Sequence, residues 1–550
     1  MSSSAARLLV WLLLAPVSLP AADLPGREWF NRRFQFHPQI TEEREVQGLQ
    51  ERIAGGKLHL TIKDYLELVL RNSTEVNLVR LDVFTAAEQI TAAKAPYDPL
   101  LTLGYNILHS VFPESSQIGG ASTLSSLTQN SFVNFQDFLS AGQTVSVGYS
   151  ASRSSTNSAF NLFNPYLTGL LSFQVTQPLL QGRTGIQARG PLEIARTQLI
   201  VTSRLSEARI SGLVATAGGQ YWDAIRARDN IKVLQATFDL AQKSYEHDKL
   251  ALDLGALASL DIYQSETQLA ERKRDLVQAQ HAYQSSLDGL RRAVGADLTA
   301  ELRGTELVLE DEPSALPPKA SILPFEEALS KALHARPEVD AAQRQLSIDD
   351  LNARVARNLM LPRLDLTAQG QAAGLSGNQV PFIGPLGIST PAVSGGFADS
   401  LGQVFGFAYP AYGAGLQLTF PLRSSAAQAQ LSDALINKVR DRYNERQIEQ
   451  QITQDVRLAL NAIDLANATI DAAVRARDLA GKNVEAEQQK YELGTITAFE
   501  VLDSQTRLAS AESALLNAYV AYQQAFLSYQ QATWTLLDNL GMVLENPKVK

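Results

Sequence analysis

Two acidic side chains in the last tenth of this 550-residue sequence have a type and spacing that could act on ions. Glu500 and Asp503 are three residues apart and follow a Gly-Thr turn in a stretch rich in helix-forming residues. Residues three apart lie on one face of a helix, so the two carboxylates would be neighbours. Neighbouring carboxylates can concentrate cations and repel anions. Acids are also common at helix starts, where they interact favourably with the helix dipole, and the pattern alone favours this simpler interpretation.

The stretch that carries these acids occurs twice. Residues 491–509 (YELGTITAFEVLDSQTRLA) match residues 252–270 (LDLGALASLDIYQSETQLA) at a constant offset of 239. In this alignment Gly494 matches Gly255, and Asp261 falls opposite the first of the two acids. Glycine adopts turn conformations that other residues rarely reach. We therefore predict a tight turn between two helices in each copy.

A second block recurs at a constant offset of 263, so the duplication covers most of the chain. Leu66 pairs with Leu329, and Pro99 pairs with Pro362. A duplication of this extent indicates an architecture built from two internal repeats. The predicted organisation is a signal peptide (1–22), an N-terminal arm (23–58), a first repeat (59–300), a connector (301–321), a second repeat (322–541) and a C-terminal tail (542–550).

Composition excludes several classes of function. The net charge of -9 argues against a nucleic-acid partner, which needs clustered Lys and Arg. The absence of cysteine excludes disulfides, thiolate metal sites and a cysteine nucleophile, and the six histidines form no pair at ligand spacing. Gly-x-Ser-x-Gly and His-Glu-x-x-His motifs are also missing. We therefore predict a protein that is not an enzyme and has neither cofactor nor metal.

The first residues read as a secretory signal. Arg7 precedes an apolar stretch at 8–19 that is too short to span a bilayer, and cleavage is predicted after Ala22. No later stretch is apolar for long enough to form a transmembrane helix. An exported chain of this kind is expected to be either soluble or a β-barrel.

Alternating strands follow each of the two repeat prolines, in regions 99–180 and 362–422. Apolar residues occupy every second position at 101–107, 145–151, 171–175 and 416–420. This pattern is typical of an outer-membrane barrel wall and equally of an ordinary half-buried sheet. Aromatic residues near the strand ends favour the membrane. We expect at least four strands, and six if the longer first region adds a hairpin.

Four long windows have a helix-forming composition, with almost no Gly or Pro: 187–252, 261–294, 425–492 and 499–540. A helix of about 60 residues is roughly 90 Å long. Such a helix has to pack along its length against similar helices, as in a coiled coil. The sequence therefore predicts long helical hairpins at 181–300 and 423–541.

These features in this order resemble the TolC family of outer-membrane efflux proteins over roughly residues 59–541. The resemblance rests on the repeat, on the strand-closing phrases FQVTQPL (173–179) and LQLTFPL (416–422), and on the turn LGTITAFEVLDSQ (493–505). It implies an α+β membrane protein in which three chains form one outer-membrane β-barrel, continuous with a long periplasmic α-helical coiled-coil barrel. A chain with too few strands to close a barrel alone is consistent with a homotrimer.

The resemblance also implies a function and partners. The chain would be the outer-membrane channel of a tripartite efflux pump, the exit duct for small molecules from an inner-membrane transporter through a periplasmic adaptor protein. It would lie in outer-membrane lipid with its helical part in the periplasm. Two alternatives stay open: the duct of a type I protein secretion system, and a secreted structural coiled-coil protein. The alternating strands argue against the last.

Several residues take expected roles from the resemblance. Acids after the turn line the closed periplasmic end of the duct in this family, so Glu500 and Asp503 would form two carboxylate rings in a trimer. Tyr491 matches a position that helps to hold the aperture closed, and Asp261 matches an acidic position of the first repeat. The turns at Gly255 and Gly494 would dock the adaptor.

One residue departs from the family pattern. The best-known member has a basic residue two positions after the second-repeat glycine, where it bridges to the acid of the first repeat, and this chain has Ile496 instead. Closure is therefore expected to depend more on apolar packing and on Tyr491 than on a salt bridge to Asp261.

Overall fold

A computed structural model of the chain describes residues 46–113, 122–158, 161–254, 262–298, 303–318, 321–379, 395–493 and 495–541. The predicted signal peptide, most of the N-terminal arm and the C-terminal tail lie outside these ranges. The chain divides into two compact units, each assembled from separate stretches. Of the described residues, the first unit contains those within 90–194 and 351–435, and the second contains those within 46–89, 195–350 and 436–541.

The described strands and helices are numbered here in chain order. They are β1 (Ile53–Ala54), β2 (Lys57–Leu60), α1 (Ile62–Asn72), α2 (Thr74–Ala93), β3 (Leu100–Pro113), β4 (Thr123–Phe138), β5 (Thr144–Thr156), β6 (Phe163–Pro178), α3 (Ile186–Asp253), α4 (Ile262–Ala293), β7 (Glu306–Leu309), α5 (Phe325–Ala335), α6 (Pro337–Leu359), β8 (Arg363–Gln379), α7 (Phe397–Phe405), β9 (Tyr409–Thr419), α8 (Ser425–Glu492), α9 (Ala498–Ala532) and α10 (Leu536–Asn539).

The four long helices predicted from composition are present. α3 and α8 each contain 68 residues, and α4 and α9 contain 32 and 35. One boundary differs, because the window 499–540 is broken at Trp534. This residue has a φ of 56°, a left-handed conformation that ends α9 before the short α10 begins. Among the described residues, no helix is both long enough and apolar enough to cross a membrane.

The first unit contains a six-stranded antiparallel sheet with the order β3-β4-β5-β6-β8-β9. Four of its strands come from the first half of the chain and two from the second, so the described residues contain the larger of the two expected strand numbers. β3 and β9 have one strand neighbour each in the described part of the chain and form the two edges. The sheet therefore joins the two strand regions that the alternation predicted.

The register of the sheet extends the alternation across the strands. Val147 lies opposite Phe173 on one face, whereas Ser146, Gln174 and Gln369 are aligned on the other. Successive residues of a strand point to opposite faces. At these positions one face of the sheet is therefore apolar and the other carries uncharged polar side chains.

Helix α7 was not predicted and lies in region 362–422, which the sequence assigned to strands. It packs against β6 and β8 through Ser400 and Val404, both fully buried. It fits because Gly169 and Gly374 leave room, since a Cβ atom on Gly374 would lie 2.2 Å from the carbonyl oxygen of Ser400. The rings of Tyr149 and Phe405 stack beside this contact, 6.3 Å apart.

The second unit contains two hydrophobic cores, one of which surrounds a three-stranded sheet, β1-β2-β7. β2 pairs in parallel with β7, so the predicted connector 301–321 contains a strand and the predicted N-terminal arm ends in one. Tyr221 of α3 is completely buried against this sheet, and its hydroxyl shares its one proton between two acceptors, the carbonyl oxygen of Leu60 at 2.9 Å and Asp311 Oδ2 at 2.7 Å. The connector is therefore part of the core and not an irregular link.

The second core is built mainly from alanines and aliphatic residues. Ala328 and Ala332 of α5 face Ile452 and Val456 of α8, and Tyr522 of α9 is buried in the same cluster. Small side chains let helices approach closely along their length. This packing agrees with the prediction that the long helices pack lengthwise against other helices.

Candidate functional site

The turn between α8 and α9 is held by hydrogen bonds at both ends. After α8, the amide and the hydroxyl of Thr495 donate to the carbonyl of Lys490, at 3.0 and 2.9 Å. At the start of α9, the amide of Thr497 donates to the carboxylate of Glu500 at 3.0 Å. A Thr with Glu three residues later forms such a reciprocal cap because the first amides of a helix have no partner inside it.

The two predicted acids lie in one pocket, as their spacing suggested. The pocket has a volume of about 390 Å³, and besides Glu500 and Asp503 it is lined by Glu487, Ser504 and Arg507. Each acid also has a partner within its own helix. Glu500 caps α9, and Asp503 forms an ion pair with Arg507 at 2.6 Å. The site therefore combines three carboxylates with one guanidinium group.

Arg507 was missed in the sequence although its spacing was readable. An acid followed by an arginine four residues later is the usual pattern of an ion pair along a helix. The side chains of Asp503 and Arg507 are 46% and 72% exposed. An exposed pair of this kind stabilises little, so both groups remain able to interact with ions or with another chain.

Tyr491 joins the end of α8 to the end of α3. Its ring meets that of His247 edge to face, with centroids 6.1 Å apart, and its hydroxyl lies 3.4 Å from His247 Nδ1. Burial and the nearby charge of Asp248 raise the pKa of Tyr491. His247 could not have been found from sequence, since it is 244 residues away and follows no motif. The structure thus gives Tyr491 a contact that holds two helix ends together.

Two more contacts tie the helices near the turns. The hydroxyl of Ser265 on α4 donates to Asp248 of α3, and both residues are buried. Arg272 of α4 donates to the hydroxyl of Thr506 on α9 at 2.9 Å. Ser504, which matches Ser265 in the sequence alignment, is buried as well. Contacts within one chain therefore connect all four long helices in this region.

Three of the predicted site residues lie outside the described ranges. These are Asp261, Gly255 and Gly494. Their expected roles, at the aperture for the aspartate and in adaptor docking for the glycines, stay predictions. Within the ranges that are described, no group of three or more His, Asp or Glu side chains could hold a metal ion.

Replacing Tyr491 by alanine is expected to loosen the end of α8, because the aromatic contact with His247 is lost. Aromatic pairs contribute about 1 kcal/mol beyond their buried area, so local amide hydrogen exchange over residues 486–497 should become about fivefold faster. Tyr491→Phe is the matched control. An oxygen–nitrogen contact of 3.4 Å is a weak hydrogen bond, so this variant should behave almost like wild type. Equal acceleration in both variants would contradict the role of ring packing.

Comparisons with known proteins agree with these features. A family model described as "Outer membrane efflux protein" matches residues 328–533. Outer membrane protein TolC of Escherichia coli is 25% identical over 311 residues, which cover 56% of this chain and 58% of that protein. TolC of Vibrio cholerae is 23% identical over 315 residues, covering 56% and 64%. By these matches the chain resembles the TolC family of outer membrane efflux proteins. Its match spans less than two thirds of the length of either TolC relative.

A fold shared with a solved outer membrane channel extends over most of the chain. The crystal structure of the Campylobacter jejuni CmeC outer membrane channel superposes with a TM-score of 0.61 at 15% identity, covering 90% of this chain and 93% of that one. At this identity the likeness concerns the fold alone. The predicted TolC resemblance and a fold with helical and sheet parts are confirmed. These relatives are outer membrane channel proteins and not enzymes, in agreement with the predicted localisation.

Proposed function

We propose that this TolC-family protein is the outer-membrane channel of a tripartite efflux pump. It would carry small molecules from an inner-membrane transporter, through a periplasmic adaptor, to the outside of the cell. The proposal rests on the six-stranded sheet, which has one apolar face and one polar face. Among the described residues, each of its two edge strands has a strand neighbour on one side only, so the sheet has two open edges. Its family adds the association with efflux.

The open edges argue for closure by further copies of the chain. Within hydrocarbon, every backbone N–H and C=O group needs a partner, so an open edge is not stable there. Large apolar side chains are also exposed on both edge strands: Leu103 of β3 is 69% exposed and Tyr412 of β9 is 90% exposed. In a homotrimer β9 of one copy would pair with β3 of the next. Three copies of six strands would form a barrel of eighteen.

A barrel of this size would leave an aqueous lumen. Barrels with 16 to 18 strands enclose a water-filled channel, whereas about eight strands are filled by their own side chains. The face that would line the lumen carries residues such as Ser146, Gln174 and Gln369. Uncharged polar side chains can form hydrogen bonds with passing solutes and water, and they favour neither cations nor anions. We infer that this part of the duct selects little and that the transporter selects the cargo.

Selection by charge would occur at the turn between α8 and α9. In a trimer, Glu500 and Asp503 of each copy would form carboxylate rings around the axis, which attract cations. Arg507 lies in the same pocket and would reduce this effect. The adaptor would bind at the two turns that contain Gly255 and Gly494.

Deleting the gene in its host tests the proposed function. We expect intracellular accumulation of a fluorescent efflux dye to rise several-fold and to return to normal when the gene is restored. The set of secreted proteins should not change. Unchanged dye accumulation together with the loss of one large secreted protein would contradict the efflux proposal and favour the duct of a type I secretion system.

A further inference from the structure

Two aspartates on neighbouring helices of the second unit form an unusual contact. Asp349 of α6 is only 3% exposed, and its Oδ2 atom is buried without a hydrogen-bond partner among the described residues. The carboxyl group of Asp441 on α8 faces Asp349, next to the Lys438–Asp350 ion pair that joins the same two helices. Ionised carboxylates have no donor, so a hydrogen bond between the two requires one bound proton.

No neighbouring positive charge takes the place of this proton between Asp349 and Asp441. The charged groups that face Asp349 are Asp441, Asp350 and Lys438. Lys438 donates to Asp350, so its charge is already matched by that carboxylate. Burial is the largest cause that raises the pKa of Asp349, to about 6, and the charge of Asp441 and its hydrogen bond follow. Lys438 acts in the opposite direction without cancelling them.

A second contact between the same helices shows what the pair adds. Arg336, directly before α6, forms an ion pair with Asp455 of α8 at 2.8 Å. The contact of Arg336 with Asp455 lies near the start of α6, and the contact of Asp349 with Asp441 lies further along it. Because the partner on α8 has the higher number in the first contact and the lower number in the second, the two helices run antiparallel and the contacts lie at separate levels. An arginine keeps its charge at all physiological pH values. The Arg336 contact is therefore permanent, whereas the Asp349 contact depends on protonation.

We propose that Asp349 and Asp441 form a shared proton-binding site that strengthens the contact between α6 and α8 in acidic surroundings and weakens it as the pH rises. With the proton bound, the two carboxyl groups attract each other through a hydrogen bond. Without it, two negative charges repel each other at a buried position. α6 then remains attached to α8 through the Arg336–Asp455 and Lys438–Asp350 ion pairs, and only the contact at Asp349 is weakened.

The direction of the pH effect follows from proton binding. The ordinary pKa of an aspartate is 3.8, and that of Asp349 is raised in the folded protein. The folded state therefore binds a proton that the unfolded state releases. The stabilisation is complete below pH 3.8 and is lost as the pH rises through about 6. The site does not depend on the proposed transport function, so the two can fail independently.

Infrared spectroscopy of the full-length protein in detergent tests the proposal. The absorption band of protonated carboxyl groups should contain a component that disappears between about pH 5 and pH 8 with a midpoint near 6. Asp349→Asn should abolish this component. Asp350→Asn is the matched control, since it changes the adjacent carboxylate of the same helix. It should retain the component at a lower midpoint, because it removes one negative charge and leaves Lys438 without its carboxylate partner.

Asp441→Asn provides a second variant, which also covers a failure of Asp349→Asn to fold. An asparagine at 441 donates to an ionised Asp349, so the midpoint should fall below pH 5. The absence of any carboxyl component that titrates above pH 5, or an unchanged midpoint in Asp441→Asn, would overturn the proposal. Thermal unfolding provides an independent test. As the pH rises from 5 to 8, the melting temperature of the wild type should fall relative to that of Asp349→Asn.

Discussion

Replacing Arg336 with alanine is expected to destabilise the second unit by about 3 kcal/mol, because the change leaves two carboxylates without their shared cation. The Arg336 guanidinium donates to Glu338 at 2.7 Å and to Asp455 at 2.8 Å, and its side chain is only 13% exposed. It also ends α5, where its amide donates to the carbonyl of Ala332. The lost contact is therefore the one that fixes the junction of α5 and α6 to α8.

Chemical denaturation followed by helical circular dichroism measures this effect on the purified protein. Arg336→Lys keeps the charge but loses the forked geometry, so an intermediate loss is expected. Arg274→Ala is the matched control for removing an arginine from an ion pair, since Arg274 is 62% exposed and its partner Asp275 also pairs with Arg272. This control should show no measurable change. A loss no larger in Arg336→Ala than in Arg274→Ala would contradict the assigned contact.

The double variant Glu500→Gln with Asp503→Asn is expected to weaken cation selectivity in single-channel recordings. The substitutions remove two of the three carboxylates in the pocket and leave Arg507 without its partner. A field that attracted cations should therefore become neutral or favour anions. Folding should be preserved, because glutamine can replace glutamate in the helix cap.

Glu512→Gln serves as the control for this experiment. It removes one carboxylate from α9 about three turns after Glu500, and selectivity should not change. If the double variant keeps the ion selectivity of the wild type, Glu500 and Asp503 do not line the aperture. The same result in the control and the double variant would show that charge selection occurs elsewhere along the duct.

Helices and strands are predictable from this sequence where they follow from local composition. The helices α3, α4, α8 and α9 consist of strong helix formers, and their observed ends lie close to the predicted ones except at the end of α9. The strands followed from alternation, which holds wherever a sheet has two chemically different faces. α7 was missed because it has nine residues and its position depends on Gly169 and Gly374, which are distant in sequence.

The residues of the candidate site likewise fall into those that local spacing predicts and those whose contacts depend on helix packing. The shared face of Glu500 and Asp503 follows from helical spacing, and the structure places both in one pocket. The contact of Tyr491 with His247 connects positions 244 apart, and no local pattern contains it. The pairing of Asp349 with Asp441 is likewise a product of helix packing. Such pairs become visible only when the register between helices is known.

The mass of the detergent-solubilised protein tests the central proposal most directly. The six-stranded sheet has two open edges, and the proposed channel requires neighbouring copies to cover them. Native mass spectrometry in a mild detergent should therefore find three copies of the chain in one particle. A particle containing one or two copies would contradict the proposal that three chains together form a channel across the outer membrane.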